Sequence, residues 1–274
     1  MMTMRRAAMG RIKVLISDLD STLFEAGTQN VRDRDWQAIC DWRACGNEFW
    51  VATGRRNNVR SLLREKNIVP DVLIYSAGCA YVSGEGKAEC RGSISSSDAQ
   101  AVFDLLSHQF PSVCSLLDLF ADDGLYLHGA VELWQRHIHA PMMPAFHSAD
   151  DYLKRPGAKL VRLFCIAPSE EDAKDLQRMI RDQFAGRLLC LHTDGSCVDI
   201  VPDGCSKWDT AAWLLEHHEL SAQQCAAIGD EEADAGMIQN SGIGFAMQKA
   251  PAMVKADADY VVSSVAEAVE ILSR

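Results

Sequence analysis

No stretch of the 274-residue chain is long and apolar enough to cross a bilayer, which takes about 20 such residues in a row. No membrane partner is expected. An excess of positive charge is also missing. The chain has 27 Lys and Arg against 38 Asp and Glu, a net charge of −11. A nucleic-acid surface needs a basic face, so the charge argues against that class of partner. A phosphorylated substrate is not, because one local cation reverses the sign of a site. Arg5 and Arg6 lie near the start, but no apolar segment follows them that would serve as a signal peptide. The ten cysteines include no Cys-x-x-Cys pair. Cys165, Cys190 and Cys225 sit inside apolar runs and read as buried thiols in a reducing compartment. The expected location is the cytoplasm. At 48% hydrophobic and 24% charged, the composition is that of a soluble globular protein, long enough for one large domain or two moderate ones.

The chain is organised around residues 12–23. An apolar, β-branched run, Ile12 to Ile16, ends in Ser17-Asp18-Leu19-Asp20-Ser21-Thr22. It reads as a buried strand with carboxylates at its C-terminal tip. Residues i and i+2 of an extended chain point the same way, so Asp18 and Asp20 can face one small space. Two like charges there resist ionisation unless a cation offsets them, most simply a divalent ion that prefers oxygen ligands. Taken alone, Asp-x-Asp is more often a strand end followed by an Asx or Ser/Thr turn.

The next segments alternate. A helix carries Trp36, Ile39, Cys40 and Arg43 and closes at Gly46. A strand, Phe49 to Ala52, ends in Thr53-Gly54-Arg55. A helix spans about 57–66, and a strand, Val72 to Tyr75, ends in Ser76-Ala77-Gly78. Strand and helix in alternation predict a parallel sheet with right-handed crossovers. Ligands of such sheets sit beyond the carboxyl ends of the strands, where Asp18, Asp20 and Thr53 lie.

After about residue 84 the texture changes. A helix is expected at 98–109 and strands at 113–118 and 123–128. The stretch 139–157 reads as irregular. A long strand, 158–167, precedes a helix capped by Ser169 and Asp172, and two strands near 187–192 and 196–201 flank the turn Thr193-Asp194-Gly195. This block fits an antiparallel α+β unit inserted into the first domain. The parallel pattern returns after Pro202. Ser206 and Asp209 form a capping pair for helix 207–218, which puts Lys207 at its first position. A cation there opposes the helix dipole, a sign of an anionic partner nearby. A solvated surface lysine is the plainer reading. The strand Ala226 to Gly229 ends in Asp230-Glu231-Glu232-Ala233-Asp234, four carboxylates in five residues. They suit a cation site, or a well-solvated acidic helix start. Strands at 243–247 and 259–262 and a helix at 264–273 complete the sheet.

Four signals thus follow in order: Asp18-Leu19-Asp20-Ser21-Thr22, Thr53 after a strand, Lys207 at a helix start, and Gly229-Asp230 with Asp234. The set resembles the haloacid dehalogenase (HAD) superfamily of phosphohydrolases. The long insertion is similar to the large C2-type cap of the Cof-like branch, as is the stretch Gly244-Phe245-Ala246-Met247 with Ala250-Pro251. The resemblance implies an α/β fold: a Rossmann-like doubly wound parallel sheet core, residues 1–84 and 202–274, with an inserted α+β cap domain, residues 85–201.

It also implies a mechanism. Asp18 is the expected nucleophile, forming an aspartyl-phosphate, and Asp20 the general acid and base. Mg²⁺ is expected on the Asp18 side chain, the Asp20 backbone carbonyl and Asp230. Asp234 is expected to orient that shell or to hold Lys207. Thr53 and Lys207 would grip the phosphoryl oxygens. Gly54 lies beside them, and Arg55 would reach the substrate or cap. Thr22 would fix the turn after the nucleophile. The implied activity is a Mg²⁺-dependent phosphatase of a small phosphorylated metabolite, a sugar phosphate first. The alternatives are a phosphatase of a phosphorylated glycoside such as mannosyl-3-phosphoglycerate, a phosphomutase, or a catalytically faded fold that senses a phosphorylated ligand.

The sequence departs from the pattern at Ser21, where most relatives have Gly, and at Ala77 and Ala233, where Asn is common. His137 and His139 have the spacing of a metal pair but no acidic partner to complete it, and read as surface or cap histidines. Trp36, Trp42, Trp50, Trp208 and Trp213 read as packing, and Trp134 is a candidate pocket wall. Asp122, Asp123 and His128 are candidate cap contacts.

Overall fold

The structure is a computed structural model that describes residues 12–139, 141–193 and 195–274. The reading of residues 1–11, and Asp194 in the turn 193–195, lie outside the described residues. In chain order the strands and helices are β1 Val14–Ser17, α1 Asp33–Ala44, β2 Glu48–Ala52, α2 Val59–Glu65, β3 Val72–Tyr75, β4 Ala80–Ser83 and β5 Glu89–Cys90. There follow α3 Ser96–Gln109, β6 Cys114–Leu119, β7 Asp122–Gly129, α4 Val131–His137, β8 His147–Ser148, α5 Ala149–Leu153, β9 Leu160–Ile166, α6 Glu170–Gln183, β10 Leu188–His192 and β11 Cys197–Pro202. The last group is α7 Lys207–His217, β12 Cys225–Gly229, α8 Ala235–Asn240, β13 Ile243–Met247, α9 Ala252–Asp257, β14 Tyr260–Val262 and α10 Val265–Leu272.

Two sheets form. The larger has the order β14-β13-β12-β1-β2-β3-β4-β5. From β14 to β3 every pairing is parallel, and β4 and β5 add an antiparallel edge. Its strands are apolar on both faces because both are covered. Leu15, Phe49, Val51 and Ile228 pack against Ile39 and Trp42 of α1 and against Val265 and Val269 of α10. The alternate residues Val14, Ile16, Trp50 and Ala227 pack against Ala211, Leu214 and Leu215 of α7 and Met237 of α8. Helices on both faces of a mostly parallel sheet are the doubly wound arrangement. β5 continues the larger sheet past residue 84, so the sheet does not end at the turn Gly84-Glu85-Gly86.

The smaller sheet has the order β10-β11-β9-β6-β7-β8, with antiparallel pairs throughout its centre. Its residues alternate with period 2. Leu117, Leu163, Val198 and Ile200 point to one face, where Val102 and Leu106 of α3 and Leu176 and Ile180 of α6 cover them. Leu116, Asp118, Arg162, Phe164 and Asp199 have the opposite parity, with Leu116 paired to Phe164 and Asp118 to Arg162 across the strands. That second face turns toward the larger sheet.

Two expectations need correction. The stretch 139–157 contains α5, capped by Ser148 and Asp151 in reciprocal hydrogen bonds. Its prolines obscured a one-turn helix too short to show a period. The helices α4, α8 and α9, of six or seven residues each, and the edge strands β4 and β5 were likewise not read from the sequence. Tertiary packing, more than local propensity, holds elements of that length.

Candidate active site

Strand β1 lies between β12 and β2, which is where the winding of the sheet reverses. The crevice beyond the strand ends opens there. Asp18 follows β1, Thr53 follows β2 and Asp230 follows β12. Lys207 comes from a different element, the start of α7. Ser206 caps that helix: its Oγ accepts from the Asp209 N–H at 3.0 Å, and its own N–H donates to Asp209 Oδ2 at 3.1 Å. The cap fixes Lys207 as the first helical residue. Its ammonium is buried and donates to Asp18 Oδ1 and Asp234 Oδ1, each at 2.7 Å. A lysine set against the helix dipole is therefore held by two carboxylates. Asp234 also accepts the backbone N–H groups of Asp230 and Glu231 at 3.0 Å each. It ties Lys207 to the turn that carries Asp230. Gly229 is required here, because a Cβ on it would lie 2.5 Å from the Asp234 side chain.

Asp18, Asp230 and Asp234 bring carboxylate oxygens within 4.8 Å of one another, with one ammonium among them. Burial pushes the Asp18 carboxyl well up, Lys207 pulls it down, and Asp234 and Asp230 push it up again. Burial likewise raises Asp230 to about 6, against the hydrogen bond from Thr22. Burial opposes the Lys207 charge, but Asp18 and Asp234 hold it well above the ordinary lysine range. The cluster carries more negative charge than its lysine offsets, so a further cation would lower the cost of ionising it. Asp234 is committed to Lys207 and two N–H groups. Asp18 and Asp230 each receive a side-chain hydrogen bond on Oδ1 alone. The donor set, hard carboxylate oxygen, suits a Mg²⁺-type ion.

The remaining expected residues fall at the same cavity, about 580 Å³, which Asp18, Asp20, Thr53, Gly54, Arg55 and Lys207 all line. Asp230 is not in its wall. It sits behind, where Thr22 Oγ1 donates to its Oδ1 at 2.6 Å. Thr22 thus holds the Asp230 carboxylate across 208 residues of sequence, a role beyond the local turn expected of it. Arg55 also departs from expectation. Its Nε and Nη2 donate to Asp20 Oδ2 and Oδ1 at 2.7 and 2.6 Å, a bidentate pair with both carboxylate oxygens occupied. That pair lifts the Arg55 guanidinium above its ordinary range. The Asp20 carboxylate is not among the side chains of that three-carboxylate cluster.

The departures at Ser21 and Ala77 have a backbone basis. Ser21 has φ 60° and Ala77 φ 56°, left-handed values that favour Gly and, among side chains, Asn. Ala77 and Ala233 both line the cavity, so an amide at either position would face it.

Sequence reasoning missed the far wall. Arg162 of β9 is buried and donates from Nη1 to Asp199 Oδ1 and Oδ2 at 3.0 and 3.3 Å. Its Nε lies 3.3 Å from Asp118. Burial works against the Arg162 charge, and Asp199 and Asp118 more than restore it. From the other side, Arg56 Nη2 donates to the carbonyls of Asp122 and Gly124 at 3.3 and 2.8 Å, and its Nε approaches Asp118 at 3.5 Å. The legible signal was a charge inside each of three apolar strands at period 2. By contrast, none of Asp122, Asp123 and His128 lines the cavity. Asp122 binds Arg155, Asp123 meets Asn57, and His128 stacks on Phe103 with ring centres 5.0 Å apart. Trp134 does line the cavity, as does His137.

Comparison with known proteins agrees with this geometry. A protein of Haemophilus influenzae named "Putative phosphatase" is 24% identical over 251 residues, 89% of this chain and 88% of its own. Proteins named HMP-PP phosphatase from Klebsiella pneumoniae and Citrobacter koseri are both 27% identical. Those matches cover 68% and 55% of this chain, and 65% and 54% of the relatives' length. The fold matches a haloacid dehalogenase-like hydrolase from B. subtilis at a TM-score of 0.80 and 18% identity, over 96% of this chain and 99% of that one. It matches a HAD subclass IIB sugar phosphatase at a TM-score of 0.74 and 19% identity, over 95% and 98%. The sequence profile of haloacid dehalogenase-like hydrolases fits residues 15–269, from the strand that precedes Asp18 to the last helix, and the chain belongs to that family.

Proposed function

We propose that the protein is a Mg²⁺-dependent phosphatase of a small phosphorylated metabolite, working through an aspartyl-phosphate on Asp18. The observation that carries this reading is a buried carboxylate at a strand end, held at 2.7 Å by Lys207 and crowded by Asp230 and Asp234, inside a cavity large enough for a small ester. Asp18, the Asp20 carbonyl and Asp230 would hold the Mg²⁺, which neutralises phosphoryl charge when bound.

The chain's own groups do the rest. Lys207 fixes the orientation of Asp18 and offers positive charge to the phosphoryl oxygens. Asp18 attacks phosphorus, and the leaving alcohol oxygen takes a proton from Asp20. Arg55 must first release one Asp20 oxygen, since it holds both, and that oxygen takes up a proton from solvent before it serves as the acid. Asp20 then removes a proton from the water that opens the aspartyl-phosphate. Thr53, Gly54 and Arg55 line the same cavity as Asp18 and would meet the phosphoryl group there. The segment after β5, through residue 201, acts as the cap over this centre, whereas the residues through β5 and from 202 carry it. A closed cap excludes bulk water.

The test is hydrolysis of p-nitrophenyl phosphate with Mg²⁺, with EDTA, and by Asp18→Asn. The expected result is turnover that requires both metal and Asp18. Folded protein that turns over neither this ester nor a panel of small phosphate esters, yet still binds inorganic phosphate, would move the reading to a phospho-ligand sensor.

A further inference from the structure

The cap joins the core through two stretches of chain, residues 91–95 after β5 and residues 203–206 before α7. They cross at one point. A Cβ on Gly92 of the first stretch would lie 2.5 Å from the Cys205 Sγ of the second and 3.5 Å from Pro202 Cβ. A residue without a side chain is what lets the two pass so closely. The first stretch also hangs on the turn after β3, because the N–H groups of Arg91 and Gly92 donate to the Cys79 carbonyl at 2.8 and 3.4 Å. Any movement of the cap relative to the core turns about this crossing.

Two sulfurs meet there. Cys79 and Cys205 are both buried, in a small cluster with Ala77, Val161 and Val201 and with Cys90 at its edge. The Cys79 Sγ lies 3.9 Å from the Cys205 carbonyl oxygen. Its thiol also donates to the Cys205 sulfur. That hydrogen bond, helped by the charge of Arg91, holds Cys205 below the ordinary thiol range against burial, Asp209 and Asp203. Arg91 is kept in place over the Trp213 ring, 4.9 Å from its centre. Burial and the Cys205 sulfur push Cys79 well up. The pair is therefore unequal. One sulfur has thiolate character and the other carries the proton, which is the division between an attacking and a resolving thiol. Cys90 stands apart from the pair, with its Sγ donating to the Gly92 carbonyl at 3.3 Å.

We propose that Cys79 and Cys205 form an oxidation site, a dithiol that hydrogen peroxide converts to a disulfide pinning the cap's return stretch to the core. It goes beyond the phosphatase reading and does not rest on it. The Cys205 sulfur attacks one peroxide oxygen, the O–O bond breaks, and the other oxygen leaves as water with the thiol proton. Sulfur has then lost two electrons to peroxide and is a sulfenic acid. The Cys79 sulfur attacks it, the S–S bond forms, the S–O bond breaks, and a second water leaves with the Cys79 proton. A thiol reductant reverses the change. In a reducing compartment the pair rests as thiols until oxidant rises. Peroxide is small and uncharged, and local opening of the linkers admits it. The new bond would lie beside Ser206, the cap of α7, and would stiffen the hinge without engaging any group that meets phosphate.

The test treats the reduced full-length chain with hydrogen peroxide, blocks the remaining thiols, and maps linked peptides by fragmentation without reduction. The expected result is one major link, Cys79 to Cys205, removed by dithiothreitol. Cys90→Ser should leave that link intact. In Cys79→Ser, Cys205 should go on to sulfinic acid, having lost its resolving thiol. Hydrogen exchange over residues 91–95 and 203–206 should slow by roughly tenfold in the oxidised wild type. Turnover of p-nitrophenyl phosphate should fall by roughly tenfold and return with dithiothreitol, as for a hinge that limits opening. Cys79→Ser and Cys205→Ser should keep their turnover through the same treatment, and the alanine variants replace them if serine folds poorly. No Cys79–Cys205 link under conditions that oxidise the exposed Cys40 and Cys45 would overturn the proposal. So would a link that leaves exchange and turnover unchanged. Mapping and exchange need no activity. The link with slowed exchange, in a chain that hydrolyses no ester, would therefore sink the phosphatase reading and leave this site standing.

Discussion

At the scale of the residue, Lys207 shows how a local cost marks a tertiary partner. The first position of a helix disfavours a cation, yet the ammonium is buried against Asp18 and Asp234 at 2.7 Å each. Removing one partner of a buried pair leaves uncompensated charge, at a typical cost of about 3–5 kcal/mol. Lys207→Met is therefore expected to abolish phosphatase turnover and to lower stability by a few kcal/mol at neutral pH, read by chemical denaturation. The companion Lys207→Met/Asp18→Asn should recover part of that stability without recovering activity, because it also removes the stranded carboxylate charge. A double variant no more stable than the single would show that the pair is not what burial of Lys207 depends on. Asp18 and Asp20 were legible because period 2 and a strand end are local facts. That Arg55 would close on Asp20 with two hydrogen bonds was not, since the two lie 35 residues apart and meet only when β1 and β2 pair.

At the scale of the element, the turn after β3 positions the start of α7. Gly78 has φ 105°, and a Cβ on it would lie 2.3 Å from the Ser206 carbonyl oxygen. Thr210 Oγ1 in the first turn of α7 donates to the Gly78 carbonyl at 2.6 Å. Turn and helix thus lock together one residue before Lys207. Gly78→Ala would force Ser206 away and carry Lys207 with it. The expected outcome is a loss of about 1–3 kcal/mol of stability, as for overpacking elsewhere, with kcat falling more than KM rises. Thermal melts and steady-state kinetics on one preparation check both. Helices with a full amphipathic face, such as α6 with Ala173, Leu176 and Ile180 buried, were readable from spacing. Helices of six or seven residues were not, because they present too few turns for a period.

At the scale of the whole molecule, Arg56 joins the two sheets. It leaves the loop after β2, and its guanidinium binds the carbonyls of Asp122 and Gly124 and approaches Asp118, all on the β6–β7 hairpin. With Arg162 and Asp199, these groups form a cluster of two arginines and two carboxylates at the junction, buried except for the half-buried Arg56. Balanced buried charge contributes less to net stability than to a specific geometry. Arg56→Ala is expected to loosen the smaller sheet against the larger one. KM for a small ester should rise several-fold, and small-angle scattering should report a larger radius of gyration, with the melting of each sheet little changed. An unaltered radius and KM would show that the cluster does not set the angle between the sheets.

The sequence by itself determined the parallel core, because covered strands must be apolar on both faces and their crossovers must be helical. It also determined which residues stand at strand ends and helix starts, since caps, turns and abrupt changes of polarity are written over a few neighbouring residues. Only the tertiary structure decided what those residues meet. Thr22 holds Asp230 across 208 residues, Arg55 closes on Asp20, and Arg162 comes to lie over Gly54, its Nη1 within 3.6 Å of where a Cβ would stand. The far wall of the cavity exists because β6, β9 and α4 arrive there from separate stretches. Such contacts depend on the register of non-local strands and on how one sheet faces the other, and no short window of sequence carries that information.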